Sequence, residues 1–213
     1  MTNSAASRLF IHVEEPSMME AMQAWLPRLL VGREIAAKII DHGSKLALLN
    51  DLPLRMKGYA NWPEPGLRVL ALVDRDDDDC DDLKCRLEAA ARKAGISTET
   101  SPDSSGRFKV TNRIVIEELE AWFIGDVEAL SKAYPGVPAT LGSQAKFRNP
   151  DAVTGGTWEA LLRVINKAGH HTGSKRLPKI EVARRIAPLM QFEKNASSSF
   201  KAFISGFEAL LAN

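Results

Sequence analysis

The first half of the chain alternates short apolar runs with longer amphipathic segments. Runs of β-branched, leucine and aromatic residues at 8–13, 37–42 and 67–73 are typical of buried strands, and weaker runs occur at 96–100 and 113–116. Apolar residues recur at helical spacing after 17, between 44 and 56, and from 83 to a stop at Gly95. Strands that alternate with helices predict an α/β fold with a mostly parallel central sheet flanked by helices.

The second half is predominantly helical. A helix is predicted over 117–134, followed by a stretch at 135–156 that is rich in Gly, Pro, Asn and Ser, and by helices at 158–168, 178–190 and 199–211. We therefore divide the chain into an α/β domain over 1–134 and a mainly helical C-terminal portion over 135–213 that packs on it.

Composition narrows the class of protein. With 213 residues, 45% of them hydrophobic, 26% charged and only two cysteines, the chain is long enough to bury a core without disulfides. This composition excludes a disordered chain, a disulfide scaffold and a collagen-like sequence. No run approaches the roughly 18 apolar residues that a membrane span needs, so we expect no membrane association and a cytoplasmic location.

The net charge of +1 conceals a segregation of charge. Residues 1–128 carry 16 basic and 22 acidic side chains, whereas residues 129–213 carry 12 basic and 5 acidic ones. The basic half is a candidate surface for the phosphates of nucleic acid, although a solvated helical surface explains it equally well. The candidate phosphate-binding residues are Lys146, Arg148, Lys167, Lys175, Arg176 and Lys179.

Carboxylates follow two of the predicted strands. Glu14 ends the first strand, and Asp74 and Asp76 follow the strand at 67–73. Ligands of open parallel sheets bind at the carboxyl ends of the strands, and two aspartates two residues apart in extended chain lie on the same side. Three carboxylates suit Mg²⁺ or Mn²⁺, which prefer oxygen ligands. Taken alone, such acids are also common as helix caps and in solvated turns.

Further candidates lie later in the chain. Glu117 and Glu120 are three residues apart at the start of the predicted helix, so we expect them on one face. They could supply a second metal or a general base, or they could simply complement the helix dipole. Lys179, and less strongly Lys175, could neutralise a phosphate in a transition state, although surface lysines are usually solvated.

Several segments carry a family resemblance. Along the chain, a strand that ends in Val-Glu is followed by a helix, a second strand, a second helix and a third strand that ends in Asp-x-Asp. This order resembles the Toprim domain of topoisomerases, primases and OLD-type nucleases. More closely, five segments are similar to a bacterial Toprim-like family known as domain of unknown function 4276. They are HVEEPS at 12–17, YANW at 59–62, LVDRD at 72–76, EELEAWFIGD at 117–126 and KxxxAxxIA at 179–187. The resemblance implies a Toprim-like, Rossmann-like fold in which Glu14, Asp74 and Asp76 hold the catalytic metal.

These observations favour a metal-dependent nuclease, or a related phosphoryl-transfer enzyme, that acts on DNA or RNA. Glu14, Asp74 and Asp76 would bind the metal, Glu117 or Glu120 would assist, and the basic residues would hold the phosphate backbone. The sequence lacks the glycine-rich loop of a self-contained NTPase. The resemblance therefore implies a role in bacterial defence against phage and other foreign DNA beside a separately encoded ATPase.

Two other functions stay open. The family often shows Val-Glu-Gly followed by a further acid, whereas Glu15 and Met18 occupy those positions here. Losing a flexible glycine changes how closely the backbone approaches a metal, which fits a catalytically degenerate regulatory or partner-binding subunit. A nucleotide-sugar transferase would also use an Asp-x-Asp metal site, but it would leave the basic half unexplained.

Overall fold

The computed structural model describes residues 7–62 and 66–212 and contains a four-stranded, fully parallel sheet with helices on both faces. The strand order is β2-β1-β3-β4. The strands are β1 (Ser7–Val13), β2 (Ile35–Asp41), β3 (Leu67–Asp74) and β4 (Val110–Val115). This arrangement confirms the predicted α/β class.

Eight α-helices lie within the described residues. Short 3₁₀ turns connect several of the later ones. The helices are α1 (Pro16–Leu29), α2 (Lys45–Ala60), α3 (Cys80–Lys93), α4 (Leu119–Ile124), α5 (Val127–Ala133), α6 (Thr157–Lys167), α7 (Lys179–Ile186) and α8 (Ser198–Ala212). No helix among the described residues is both long enough and apolar enough to cross a membrane.

The central strand β3 is buried on both faces, as its continuous apolar run predicts. Leu70 and Leu72 pack into a large core with α1 and with helices α4 to α8. Val69, Ala71 and Val73 alternate to the opposite face and pack against α2 and α3. The sheet therefore presents its carboxyl edge between two helical layers.

The C-terminal portion packs on the larger of these two cores. Trp25 of α1 and Trp122 of α4 contact Phe200 and Phe203 of α8 at centroid distances between 5.1 and 6.0 Å. The Trp25 indole also donates a hydrogen bond of 3.0 Å to the carbonyl of Ala187. Because these aromatic rings come from both ends of the chain, one core joins the α/β domain to the helical portion.

Two expected elements differ in the structure. Residues 96–100 do not form a strand, and Thr98 makes only isolated bridges to Ser101 and Val110. The helix expected over 117–134 is two helices, because the backbone turns at Gly125 and the Asp126 carboxylate accepts a hydrogen bond from the N–H of Ala129 to begin α5. In both places local hydrogen bonds of polar groups interrupt the element that the sequence predicts, a strand in the first case and one continuous helix in the second.

Candidate functional site

The carboxyl ends of β1 and β3 are adjacent because these two strands pair in register. Asp74 is the last residue of β3 and is 4% exposed, and Glu14 directly follows β1. A Glu14 carboxylate oxygen accepts a hydrogen bond of 3.1 Å from the backbone N–H of Asp74. The strand pairing thus brings together two of the acids that the sequence predicts for one site.

An inner cluster forms where three helices approach this edge. It comprises Glu15, Asp74, Glu118, Glu120 and Lys179. The Lys179 Nζ lies 3.4 Å from Glu15 Oε1, 3.4 Å from Glu118 Oε1 and 3.7 Å from Glu120 Oε2. One ammonium from the C-terminal portion therefore faces carboxylates that follow β1 and β4.

Burial and mutual repulsion disfavour ionisation of the inner acids. Burial, reinforced by Glu120 and Glu14, raises the pKa of Asp74 well above its ordinary value. Burial also raises the pKa of Glu120 from 4.5 to about 7, against the opposing charge of Lys179. Burial opposes the charge of Lys179, but the surrounding carboxylates outweigh it and hold its pKa above the ordinary value. The cluster thus holds more acid than one lysine neutralises.

An outer cluster, comprising Lys45, Asp76 and Asp78, lies on the α2 side of Glu14. The Lys45 Nζ is 2.8 Å from Asp76 Oδ2, 2.6 Å from Asp78 Oδ2 and 3.0 Å from the carbonyl oxygen of Arg75. Burial raises the pKa of Glu14 to about 7, with Lys45 opposing the shift and Asp76 adding to it. Glu14 therefore lies between the inner and outer clusters and interacts with both.

Asp76 does not share the buried side of Asp74, contrary to the expectation for extended chain. Its φ of +50° places it in the left-handed region, and its side chain is 45% exposed beside Lys45. Its backbone N–H donates a hydrogen bond of 2.9 Å to the carbonyl of Glu117, which also has a positive φ of +63°. Two strained residues joined by one hydrogen bond are typical of functional sites.

Glu117 and Glu120 occupy different environments rather than one helix face. Glu117 precedes α4, and its carboxylate forms an ion pair with Arg75. Glu120 lies in the first turn of α4 and is fully buried. The expected helix begins two residues late because the positive φ of Glu117 is incompatible with helical geometry.

Three buried oxygens of this site have no hydrogen-bond partner: Asp74 Oδ1 and both carboxylate oxygens of Glu120. Buried polar atoms nearly always have a hydrogen-bond partner, so buried carboxylate oxygens that accept none, beside Glu14, suit a hard cation. As the side chains stand, no group of three or more His, Cys, Asp or Glu side chains among the described residues is arranged to hold a metal ion. A cation here would therefore require side-chain rearrangement, for which Asp74, Glu120 and Glu14 supply the donor atoms.

The predicted phosphate-binding residues separate into four places. Lys179 belongs to the inner cluster, and Lys175 and Arg176 are exposed in the loop before α7. Lys146 and Lys167 line a single cavity formed by the 136–147 connection and α6. Arg148 is exposed outside that cavity and contacts the carbonyl of Ser143.

Sequence reasoning missed Lys45, Glu15 and Glu118 as members of the site. Glu118 also accepts a hydrogen bond of 2.6 Å from the Thr157 hydroxyl, which ties α6 to the inner cluster. The sequence held two signals: Glu118 lies within the Glu-Glu-Leu-Glu segment, and Lys45 directly follows the N-cap Ser44 after a strand end. Their roles depend on contacts between distant segments, which spacing alone does not show.

A chain of hydrogen bonds runs from the buried His12, two residues before Glu14, to the exposed Asp51. His12 is fully buried, its Nε2 is 2.9 Å from the Tyr59 hydroxyl, and its Nδ1 is 2.9 Å from His42 Nε2. His42 Nδ1 is in turn 3.2 Å from Asp51 Oδ2. If ionised Asp51 accepts from His42, neutral His12 must donate to His42 and accept from Tyr59. Burial and neighbouring His42 lower the pKa of His12 to about 3, so this residue stays neutral.

The comparisons with known proteins place the chain in a family. The model of a domain of unknown function, DUF4276, matches residues 13–208. The chain belongs to this family. As a DUF4276 member it contains the whole candidate site within the matched residues. No curated protein matches the sequence significantly.

One solved structure is similar to this DUF4276 chain. It is the C-terminal region of the OLD protein of Xanthomonas campestris pv. campestris, with 17% sequence identity and a TM-score of 0.49. The match covers 97% of this chain and 96% of the other.

Proposed function

We propose that this DUF4276 member is a Mg²⁺- or Mn²⁺-dependent nuclease, or a related phosphoryl-transfer enzyme, that acts on nucleic acid. The observation that carries the proposal is the set of three buried carboxylate oxygens on Asp74 and Glu120 that accept no hydrogen bond, beside Glu14 at the carboxyl edge of the sheet. Lys179, 3.7 Å from Glu120, is the one cation beside several acids. Buried acids that accept no hydrogen bond are costly for folding, and such strain is commonly retained where it serves function.

Glu14, Asp74 and Glu120 would hold the metal, and Asp76 would join them after release from Lys45. When bound, the metal would activate water and stabilise the charge that develops on a phosphate. In the metal-free protein, burial raises the pKa of Glu14 and of Glu120 to about 7. Binding of a cation by these carboxylates would therefore release protons near neutral pH.

Lys179 provides the remaining electrostatic component. A surface cavity of about 510 Å³ beside the inner cluster is lined by two basic and two acidic side chains, Lys179, Arg184, Glu15 and Glu181. Arg184 forms an ion pair of 2.6 Å with Glu20. Lys179 would attract a phosphate that the carboxylates alone would repel. A neutralised phosphate could thus approach an acidic centre.

The test is cleavage of plasmid and single-stranded DNA and RNA with Mg²⁺, with Mn²⁺ or with EDTA. We expect cleavage only with metal, and loss of at least about a hundredfold in rate on Asp74→Asn, since removing one group that stabilises charge in the transition state commonly costs this much. Asp82→Asn is the matched control, because Asp82 lies in the nearby acidic run and forms the exposed first turn of α3. Cleavage that persists unchanged in Asp74→Asn would refute the site assignment.

A second readout does not depend on activity. A cation that binds the folded protein raises its melting temperature, so Mg²⁺ or Mn²⁺ should stabilise the unmodified chain and the Asp82→Asn variant. The same ions should fail to stabilise Asp74→Asn. Equal stabilisation of all three proteins would place the metal elsewhere.

A catalytically degenerate, partner-binding subunit is the second candidate function. Lys45 and Lys179 already lie against the acids, as a bound cation would, which favours this role. It predicts nucleic-acid or protein binding that is sensitive to salt, with no metal-dependent cleavage. A role in defence against foreign DNA beside a separate ATPase is part of our proposal for either function, and its support is the family resemblance alone.

A further inference from the structure

A second cavity, of about 390 Å³, lies between the 136–147 connection and the C-terminal half of α6. Its size is at the lower end of the range for small-ligand pockets, which suits a single compact group. The site of metal binding proposed above does not use it. The residues that line it are Gly136, Pro138, Leu141, Gln144, Lys146, Phe147, Ala160, Arg163, Val164, Lys167 and Ala168.

The rim of this cavity is positively charged and uncompensated. Lys146, Arg163 and Lys167 are all exposed, and the lining includes no acidic residue. Within residues 7–62 and 66–212, no carboxylate lies within ion-pair distance of any of the three. Three unpaired cations around one cavity attract an anion more strongly than cations that each have an acidic neighbour.

The floor of the cavity is apolar and includes an aromatic ring. Leu141, Phe147 and Ala160 are buried, and Val164 is half-buried beside them. A phosphate alone would gain nothing from this surface, whereas a flat aromatic base would be removed from water against it. An aromatic face within a basic groove is the chemistry by which proteins bind single-stranded nucleic acid.

Two backbone features shape this cavity for an anion. A Cβ on Gly136 would lie 3.0 Å from the carbonyl oxygen of Ala168, so the glycine permits a close approach that forms one wall. The carbonyls at the end of α6 accept hydrogen bonds from the N–H groups of Ala168, Gly169 and His170. These bonds reduce the negative potential that a bare helix C-terminus would present to a phosphate.

We infer that this cavity binds one nucleotide of a single-stranded nucleic acid, with the base against Phe147 and Val164 and the phosphates on Lys146, Arg163 and Lys167. The inference rests on the proposed function and deepens it by naming an unpaired strand as the substrate class. The bases of a duplex are stacked and paired, so they cannot enter without being flipped out.

The position of the cavity fits a strand that runs toward the candidate metal site. Thr157, at the first turn of α6, donates a hydrogen bond to Glu118 of the inner cluster. Arg163 and Lys167 follow six and ten residues later on the same helix, which places them about 9 and 15 Å further along its axis. A strand of a few nucleotides is long enough to cover this axial distance.

The test measures binding of a fluorescent twelve-nucleotide oligothymidine to the full chain by anisotropy, in EDTA. We expect Val164→Phe, which fills the cavity without changing charge, to weaken binding about fivefold or more, since one base contact is worth about 1–3 kcal/mol. Lys167→Gln should reduce the slope of log K against log salt by about 0.7, the value for one phosphate of a single strand. Lys201→Gln, on exposed α8 surface, should change neither quantity.

Competition distinguishes a strand from a free nucleotide. Thymidine monophosphate should displace the oligonucleotide only at concentrations far above the oligonucleotide's own Kd. Displacement at a thymidine monophosphate concentration equal to that Kd would overturn the assignment to a strand. The duplex of the same length should bind at least about tenfold more weakly than the single strand. Circular dichroism and melting temperature check that the variants fold.

Two results would overturn the inference. One is unchanged binding by folded Val164→Phe, and the other is an equal loss of salt dependence in Lys167→Gln and Lys201→Gln. Because binding is measured without metal, the two proposals fail separately. If the protein binds the oligonucleotide through this cavity but never cleaves nucleic acid, the nuclease proposal is refuted and the cavity assignment stands. If it cleaves nucleic acid and the cavity variants bind as tightly as the unmodified chain, the cavity assignment is refuted and the nuclease proposal stands.

Discussion

Replacing Glu120 by glutamine should stabilise the metal-free protein at pH 8. Glu120 is fully buried, and its pKa is raised from 4.5 to about 7. One pKa unit corresponds to about 1.4 kcal/mol, so ionising this carboxyl costs the folded chain about 3 kcal/mol more than the unfolded chain. Glutamine has the shape of the protonated acid and avoids that cost. We expect Glu120→Gln to raise the free energy of unfolding by about 1–3 kcal/mol.

The stability gained by Glu120→Gln depends on pH. Below about pH 4.5 the carboxyl is protonated in both states, and it imposes no penalty on folding. As the pH rises from 4.5 to 7, the unfolded chain loses this proton first, so the penalty grows, and it is fully developed above pH 7. Urea unfolding in EDTA at pH 5 and pH 8 should therefore show a gain for Glu120→Gln that is much larger at pH 8.

Glu128→Gln is the matched control, because Glu128 is also in the first turn of a short helix but is exposed. Its carboxylate contacts Lys132 and Lys194, which lower its pKa to about 2. Its replacement should leave stability unchanged or reduce it at pH 8, which is the opposite direction. If Glu120→Gln destabilises the protein at pH 8, the ion pair with Lys179 outweighs the burial of the carboxylate, and our reasoning about an excess of acid is refuted.

Three further predictions concern the rest of the structure. Tyr59→Phe should lower the free energy of unfolding by about 1–3 kcal/mol, measured in urea, because it leaves the buried Nε2 of His12 without a donor. Acid should destabilise the protein through His12, whose pKa is about 3 in the folded chain and 6.5 in the unfolded chain. Its stabilising contribution is lost progressively as the pH falls from 6.5 toward 3, and a measured uptake of protons on unfolding in this range would show the effect. Gly125→Ala should lower the melting temperature by several degrees, because a methyl group there overlaps the amide of buried Asn195.

The elements with strong periodicity were predictable from the sequence. The run at 67–73 is apolar at every position except Arg68, as expected for a strand covered on both faces, and β3 is the central strand that meets this condition. The segment at 96–100 has one apolar residue, Ile96, followed by serine, threonine and glutamate, and its backbone forms turns and bridges around Thr98. Side-chain hydrogen bonds of Thr98 to Thr100 and to the N–H of Ser101 satisfy the backbone locally, and hydrophobic pattern does not report them.

The acidic residues of the candidate site could be predicted from the sequence, whereas its lysine residues could not. Glu14 and Asp74 follow strands, and parallel strands that pair must bring their ends together. Lys45 and Lys179 reach the same edge from helices that are far apart in sequence, so no spacing rule relates them to Asp76 or Glu120. The different orientation of Asp76 arises from its positive φ, which depends on a hydrogen bond to the distant Glu117.

The segregation of charge at residue 128 has a different meaning in the folded chain. In the sequence, an acidic half and a basic half suggest two separate surfaces, one for cations and one for phosphates. In the structure, the Lys179 side chain of the basic half is 28% exposed and lies among carboxylates of the acidic half, and aromatic residues of α8 complete the core beneath them. Packing of the C-terminal portion therefore supplies the ammonium group that partly offsets the charge of the inner cluster's acids. A substrate phosphate or a metal must compete with this internal ion pair, so binding at the site and packing of the two portions are energetically coupled.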